Sequence, residues 1–185
     1  MQTTLEQFSA VVGQCRDLFV KKTADYGTAW RILRPASITD QLYIKALRIR
    51  SIEEKGAQKV ADPVEGEFVG LINYSVLALI QSSLPPDAPM ELNAQAVAQL
   101  FDEHIGENIR LLQAKNHDYD EAWRVMRLSS MTDLILQKLL RIKQIEDNAG
   151  QTQVSEGLDA NYRDIINYAA FALIRLSEQN HDSTT

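Results

Sequence analysis

The sequence predicts an all-α protein: two tandem three-helix repeats packed as one pseudo-twofold helical bundle. Three observations predict it. Apolar residues such as Phe8, Val11, Val12 and Leu18 recur at helical spacing. No window shows sustained period-two alternation bounded by turn residues. The chain also repeats itself: Asp25 to Glu54 aligns without a gap on Asp118 to Asp147 at an offset of 93, and fifteen of the thirty positions are identical. Upstream, Lys22 pairs with Lys115 and Phe8 with Phe101; downstream the offset becomes 94, where Ile72-Asn73-Tyr74 matches Ile166-Asn167-Tyr168.

These matches divide the chain into a first repeat over 1–84, a Pro-rich linker over 85–91 and a second repeat over 92–185. The first helix of each repeat is expected from about Thr4 to Lys22 and from about Leu92 to Lys115. A short irregular stretch follows, carrying Asp25-Tyr26-Gly27 and Trp30 to Pro35 in the first repeat. Ser37 and Ser130 are expected as N-caps of the second helix, which should end near Gly56 and Gly150. The third helix is expected from about Glu65 to Ser83 and from about Glu156 to Gln179. Between the repeats, the three prolines of Leu84-Pro85-Pro86-Asp87-Ala88-Pro89 read as a stiff spacer. A three-helix unit of this size with a polar inner stripe is marginal alone, so the two units are expected to share one core.

The composition of the 185 residues, 45% apolar and 24% charged, argues against disorder or low complexity. The net charge of -6 argues against direct binding of duplex DNA, so any nucleic-acid or nucleotide partner would have to be met in a local site. Charge divides unevenly, about -1 up to Leu92 and about -5 from Asn93 onward. Cys15 is the one cysteine and reads as a small buried hydrophobe. His104, His117 and His181 show no zinc-ligand spacing with it. Common phosphate-loop motifs are absent. The N-terminus lacks the basic and apolar regions of a signal peptide, and the longest apolar runs fall short of the roughly 20 residues a membrane span needs. The expected setting is cytoplasmic, with no membrane partner, as a pseudo-twofold monomer or a homodimer.

Polar matches between the copies are more informative than apolar ones. Ile38, Leu42, Ile49 and Ile52 lie within about 40° of one line on the second helix, with Lys45 in the middle of that stripe. Met131, Ile135, Ile142, Ile145 and Lys138 repeat the pattern. An ammonium centred on an apolar stripe must snorkel or meet an anion. Either it pairs with Asp25 or Asp118, or it joins Arg48 or Arg141 in holding a phosphate. Trp30 and Trp123 can stack on a base or plug a bundle end; Tyr26 and Tyr119 share that ambiguity, and Arg31 and Arg124 can reach a phosphate.

In the second repeat Glu156, Asp159, Asp164 and Asn167 fall within about 140° of arc on one helix face. The first repeat has Asp62, Glu65, Gly70 and Asn73 in those places, so its third carboxylate is missing. The second and third helices form a hairpin, which should bring Glu146 and Asp147 close to Glu156 and Asp159. Carboxylates converging from two helices suit Mg²⁺; the bland alternative is a solvated acidic helix start that complements the macrodipole.

Lys-x-x-Asp-Tyr in a first helix, Lys-x-x-Arg in a second and an acidic stretch before Asn-Tyr in a third resemble the nucleotide modification-associated domain 1 family, in two copies. The residues that carry this resemblance are Lys22-Asp25-Tyr26, Lys45-Arg48 and Asn73-Tyr74, then Lys115-Asp118-Tyr119, Lys138-Arg141, Glu156-Asp159-Asp164 and Asn167-Tyr168. More distantly, the unit is similar to all-α nucleoside triphosphate pyrophosphohydrolases of the MazG and dimeric dUTPase type. That similarity implies Mg²⁺-dependent hydrolysis of a nucleoside triphosphate to monophosphate and pyrophosphate, with the better-preserved site in the second repeat. Asp159, Asp164 and Glu146 would hold the metal and Glu156 would hold it too or orient water. Lys115, Lys138, Arg141 and Arg124 would meet phosphates, Asp118 and Asn167 would complete the site, and Tyr119 or Trp123 would face the base. Lys22, Asp25, Lys45 and Arg48 are the first-repeat equivalents. Against that pattern, Glu53-Glu54 and Glu146-Asp147 lack the paired acidic spacing. The rival expectation is a non-catalytic binding or assembly module whose polar residues are structural ion pairs.

Overall fold

A computed structural model describes residues 3–56, 63–119, 121–153 and 157–182. It is all-α, with six long helices: α1 (Thr4–Tyr26), α2 (Pro35–Lys55), α3 (Val64–Ser83), α4 (Ala94–Tyr119), α5 (Leu128–Asp147) and α6 (Leu158–Asp182). Short 3₁₀ turns, Ala29–Ile32 and Ala122–Val125, join the first and second helices of each repeat. No described residue is in a strand.

Local chemistry sets the boundaries. Thr3 and Glu6 form a reciprocal capping box at the start of α1, satisfying two otherwise unpaired backbone donors. The helix runs a turn beyond the expected end at Lys22, so Asp25 and Tyr26 lie in its last turn, and it stops where Gly27 takes φ 60°. Any side chain at Gly27 would collide with the Glu91 carboxylate. Ser37 does not cap α2, because Pro35 begins that helix with its fixed φ and missing N–H, leaving Arg34 at the cap. Ser130 likewise falls inside the first turn of α5, whose cap is Arg127. Gly56 closes α2 in the left-handed conformation, as the sequence predicts. Asp62 and Glu156 lie outside the described residues.

Helices α2, α3, α5 and α6 form a central layer. Within it α2 packs on α5, α3 on α6, and each repeat's own second and third helices form a hairpin. Helix α1 lies against α4, α6 and α3, and α4 against α3. One apolar cluster runs through all six, including Phe8, Leu42, Phe68 and Ile72 from the first repeat and Phe101, Ile135, Ile165 and Ile166 from the second. Each of these large side chains contributes about 1.5–3 kcal/mol relative to solvent exposure, and none could be covered by its own repeat alone.

Contacts across the α2–α5 seam are reciprocal. Thr39 Oγ1 donates to Glu146 Oε1 at 2.7 Å, and its repeat partner Thr132 donates to Glu53 at 2.8 Å. Lys143 pairs with Asp40 at 2.7 Å, and Arg50 with Asp133 at 3.6 Å. This i-to-j, j-to-i pattern is the signature of a twofold interface, here formed within one chain. The linker is tied down by Arg31, which donates to the carbonyls of Ala88 at 2.8 Å and Pro89 at 3.2 Å, and by Thr28, which donates to Met90. Among the described residues no helix is long and apolar enough to cross a membrane.

Candidate functional site

The first repeat encloses a cavity of about 280 Å³ between α1, the first 3₁₀ turn, α2 and α3. Among the described residues its charged lining groups are Lys22 from α1 and Lys45 from α2, and no carboxylate lines it. Tyr26, Trp30 and Tyr74 supply aromatic surface, and Tyr26 stands 73% exposed at the rim. Lys45 Nζ lies 5.5 Å from the centre of the Tyr74 ring. Asn73 donates to the backbone carbonyl of Cys15 at 3.0 Å, while its Oδ1 has no hydrogen-bond partner. An unpaired buried amide oxygen costs about 1–3 kcal/mol until something donates to it.

Small residues on α3 create the space. Gly66 and Gly70 present no side chain, and a Cβ on residue 70 would sit 2.9 Å from Lys45 Cδ and Cε. Lys45 therefore lies across the face of α3, as its place on the apolar stripe of α2 requires. Its anion is not Asp25, which is exposed at the end of α1. Lys45 reaches Glu67 Oε2 at 3.5 Å, and Arg48 donates to the other oxygen of the same carboxylate. Glu67 precedes Gly70 by one turn and replaces the acid that the repeat comparison shows missing. Its spacing of three from Gly70 was a readable signal.

Among the described residues, side chains occupy the equivalent space in the second repeat; those of Tyr119 and Asp120, which correspond to Tyr26 and Gly27, lie outside the described residues. Asp164 stands where the first repeat has Gly70, and it bridges Lys138 at 2.8 Å and Lys115 at 3.2 Å. Phe171 replaces Leu77 and stacks on Trp123 at 4.4 Å and 7°. Trp123 is 6% exposed, so it plugs the bundle end. Arg163 replaces Val69 and turns away to the His104 carbonyl and Glu107. Arg124 lies over the Trp123 ring and is held by Glu121, Glu178, Thr4 and Gln7. Asn167 accepts from Asn108 at 2.7 Å. Arg141 lies at the far end of α5 beside Gln144 and Asn148. Among the described residues the open cavity is thus in the first repeat; the second-repeat site expected from the sequence includes Glu156 and the side chains of Asp118 and Tyr119, which lie outside them.

The family's profile matches residues 22–82 and 115–176 as nucleotide modification associated domain 1, and both matched segments contain the lysines that define these two spaces. The chain belongs to the nucleotide modification associated domain 1 family. No curated protein and no solved structure matches it.

In this family member the carboxylates expected to hold Mg²⁺ have separate surroundings. Asp159 is exposed at the start of α6, Asp164 is engaged by two ammonium groups, and Glu146 faces the α2–α5 seam under Thr39. Burial pushes the Glu146 carboxyl above the usual range, the Thr39 hydrogen bond opposing it. The adjoining Tyr162 hydroxyl is pushed up to about 12, again by burial. Among the described residues no three His, Cys, Asp or Glu side chains converge as a cation would require. The side chains of Asp118, Tyr119, His117 and His181, with all of Glu156, lie outside the described residues.

Proposed function

We propose that the chain binds a small nucleotide-type anion in the cavity of its first repeat. One observation carries the reading: two ammonium groups and three aromatic rings line a cavity into which, among the described residues, no carboxylate enters. Lys22 and Lys45 would neutralise phosphate, and Tyr26, Trp30 or Tyr74 would lie against the base. The cavity's 280 Å³ is near the lower end for small-molecule sites, which suits one mononucleotide and not a polymer strand. The family's association with nucleotide modification agrees with this ligand class.

The Mg²⁺-dependent hydrolysis implied by the distant pyrophosphohydrolase resemblance is not built into this proposal, since the described carboxylates do not fit a cation site. A structural role without ligand is favoured for the second repeat, where Asp164 pairs with both lysines.

A thermal-shift and calorimetric panel of nucleoside mono-, di- and triphosphates, with and without Mg²⁺, tests the proposal. A nucleotide should raise the wild-type melting temperature, and Lys22→Met and Lys45→Met should each weaken it at least tenfold, while Lys138→Met leaves affinity unchanged and lowers stability. No response to any nucleotide, or full affinity in both first-repeat variants, would sink it.

A further inference from the structure

We infer that Asp164 and Phe171 occupy, in the second repeat, the positions that a ligand's anion and flat ring take in the first, so the chain carries one open site and one that fills itself. The inference rests on the proposed cavity and specifies what it holds.

Three pairs of equivalent residues define the anion position. Lys115 and Lys138 correspond to Lys22 and Lys45, and Asp164 to Gly70. In the second repeat one carboxylate satisfies both ammonium groups, one oxygen to each, Oδ1 to Lys115 and Oδ2 to Lys138. In the first repeat both lysines line the cavity with Gly70, whose bare backbone lies beside the Lys45 side chain. Lys45 Nζ is 3.5 Å from Glu67 Oε2, and Lys22 has no ion pair among the described residues. A group that bridges them must therefore present two anionic oxygens on one centre, as phosphate or carboxylate does. A neutral ligand would leave Lys22 unanswered and Lys45 with only its 3.5 Å contact to Glu67.

The ring position follows in the same way. Phe171 covers the face of Trp123 in parallel contact, whereas the shorter Leu77 at the equivalent place leaves Trp30 lining the cavity. An aromatic ring lying on Trp30 would restore the stack. Residues 164 and 171 are separated by about two helical turns, a rise of roughly 10 Å. A ring bearing its anion directly is too short for that span. The ligand class is a flat ring joined through a spacer to a phosphate or carboxylate, which is the plan of a nucleotide and excludes simple aromatic acids.

The test is equilibrium dialysis of the full chain with inorganic pyrophosphate and with the four deoxynucleoside triphosphates, measuring equivalents bound. Wild type should bind one equivalent of pyrophosphate, Asp164→Gly two, Gly70→Asp none, and the exchanged double variant one again, while a second equivalent of triphosphate should require Phe171→Leu together with Asp164→Gly. Gly70→Asp requires only that the flexible end of Lys45 move aside. Asp164→Asn, which keeps the shape and removes the charge, covers the case in which Asp164→Gly does not fold; pyrophosphate should raise its melting temperature more than that of wild type. An unchanged single equivalent in Asp164→Gly, undiminished binding by Gly70→Asp, or binding lost in Asp164→Gly would each overturn the inference. The two readings fail separately. A wild type that takes up no probe overturns the first-repeat binding proposal, yet pyrophosphate stabilisation of Asp164→Asn above wild type would still uphold Asp164 as the stand-in for an anion, and its absence would refute that.

Discussion

Thr39 and Glu146 are joined by a 2.7 Å hydrogen bond across the seam between α2 and α5, and the pseudo-twofold repeats that bond between Thr132 and Glu53. Two half-buried carboxylates thus sit near the middle of the molecule, each with a hydroxyl donor from the opposite repeat. Removing a donor leaves its acceptor poorly paired. Thr39→Val and Thr132→Val should each cost about 1–3 kcal/mol in urea denaturation. A Thr39→Val/Glu146→Gln cycle should show coupling, whereas Thr39→Val with Thr132→Val should be nearly additive. Strict additivity in the first cycle would mean that the bond contributes nothing.

The same carboxylates give stability a pH dependence of definite sign. Burial raises the folded-state pKa of both Glu53 and Glu146 above 4.5, the hydrogen bonds from threonine only partly opposing it. Their contribution to stability is therefore complete below about 4.5, the value in the unfolded chain, and is lost as pH rises through the folded values. The Glu53→Gln/Glu146→Gln variant is neutral at every pH and still offers each threonine an acceptor. Its melting temperature relative to wild type should rise between pH 4 and pH 7. Parallel melting curves over that interval would contradict the assignment.

Filling the first cavity should block binding without harming the fold. Leu77→Phe copies the second repeat, where Phe171 stacks on tryptophan in the equivalent position. We expect at least a tenfold loss of nucleotide affinity by calorimetry and an unchanged or higher melting temperature. The reverse change, Phe171→Leu, should cost about 0.5–1.5 kcal/mol for the lost stack, beyond the smaller apolar area. Full affinity in Leu77→Phe would place the ligand's ring elsewhere.

Cys15 should be chemically silent in the folded protein. It is fully buried, and burial pushes its thiol up to about 12, so almost no thiolate exists at pH 8. A thiol-exchange reagent should label it only as fast as the chain unfolds, and complete labelling should coincide with the denaturation midpoint. Rapid labelling under native conditions would show that α1 opens locally.

Much of this architecture was legible because the chain repeats itself. Lys45 and Lys138 were singled out by their place on an apolar stripe, and each does meet an anion. The anion of Lys45 is not the expected Asp25, and the side chain of Asp118, the one expected for Lys138, lies outside the described residues. Asp25 is in the last turn of α1 and exposed, while Glu67 and Asp164 on the third helices are one helix diameter away across the hairpin. The Thr-Asp pairs at 39–40 and 132–133, with Glu53 and Glu146, were visible as polar identities, but their reciprocal contacts depend on how α2 crosses α5. That is a tertiary fact which periodicity within one helix does not contain. The cavity was hidden for another reason. Gly70 reads as a lost carboxylate when compared with the second repeat, and only packing shows that it leaves a space together with Gly66, Val69 and Leu77.

The reciprocal seam has a consequence for how the two halves can differ. Identical subunits related by a twofold axis must carry the same residue at equivalent positions, so glycine on one side would force glycine on the other. A single chain holding both halves escapes that constraint: residue 70 and residue 164 are separately encoded. The peptide link also makes their association intramolecular, so dilution does not separate the receiving half from the bracing half, and the ratio of one to the other is fixed during synthesis.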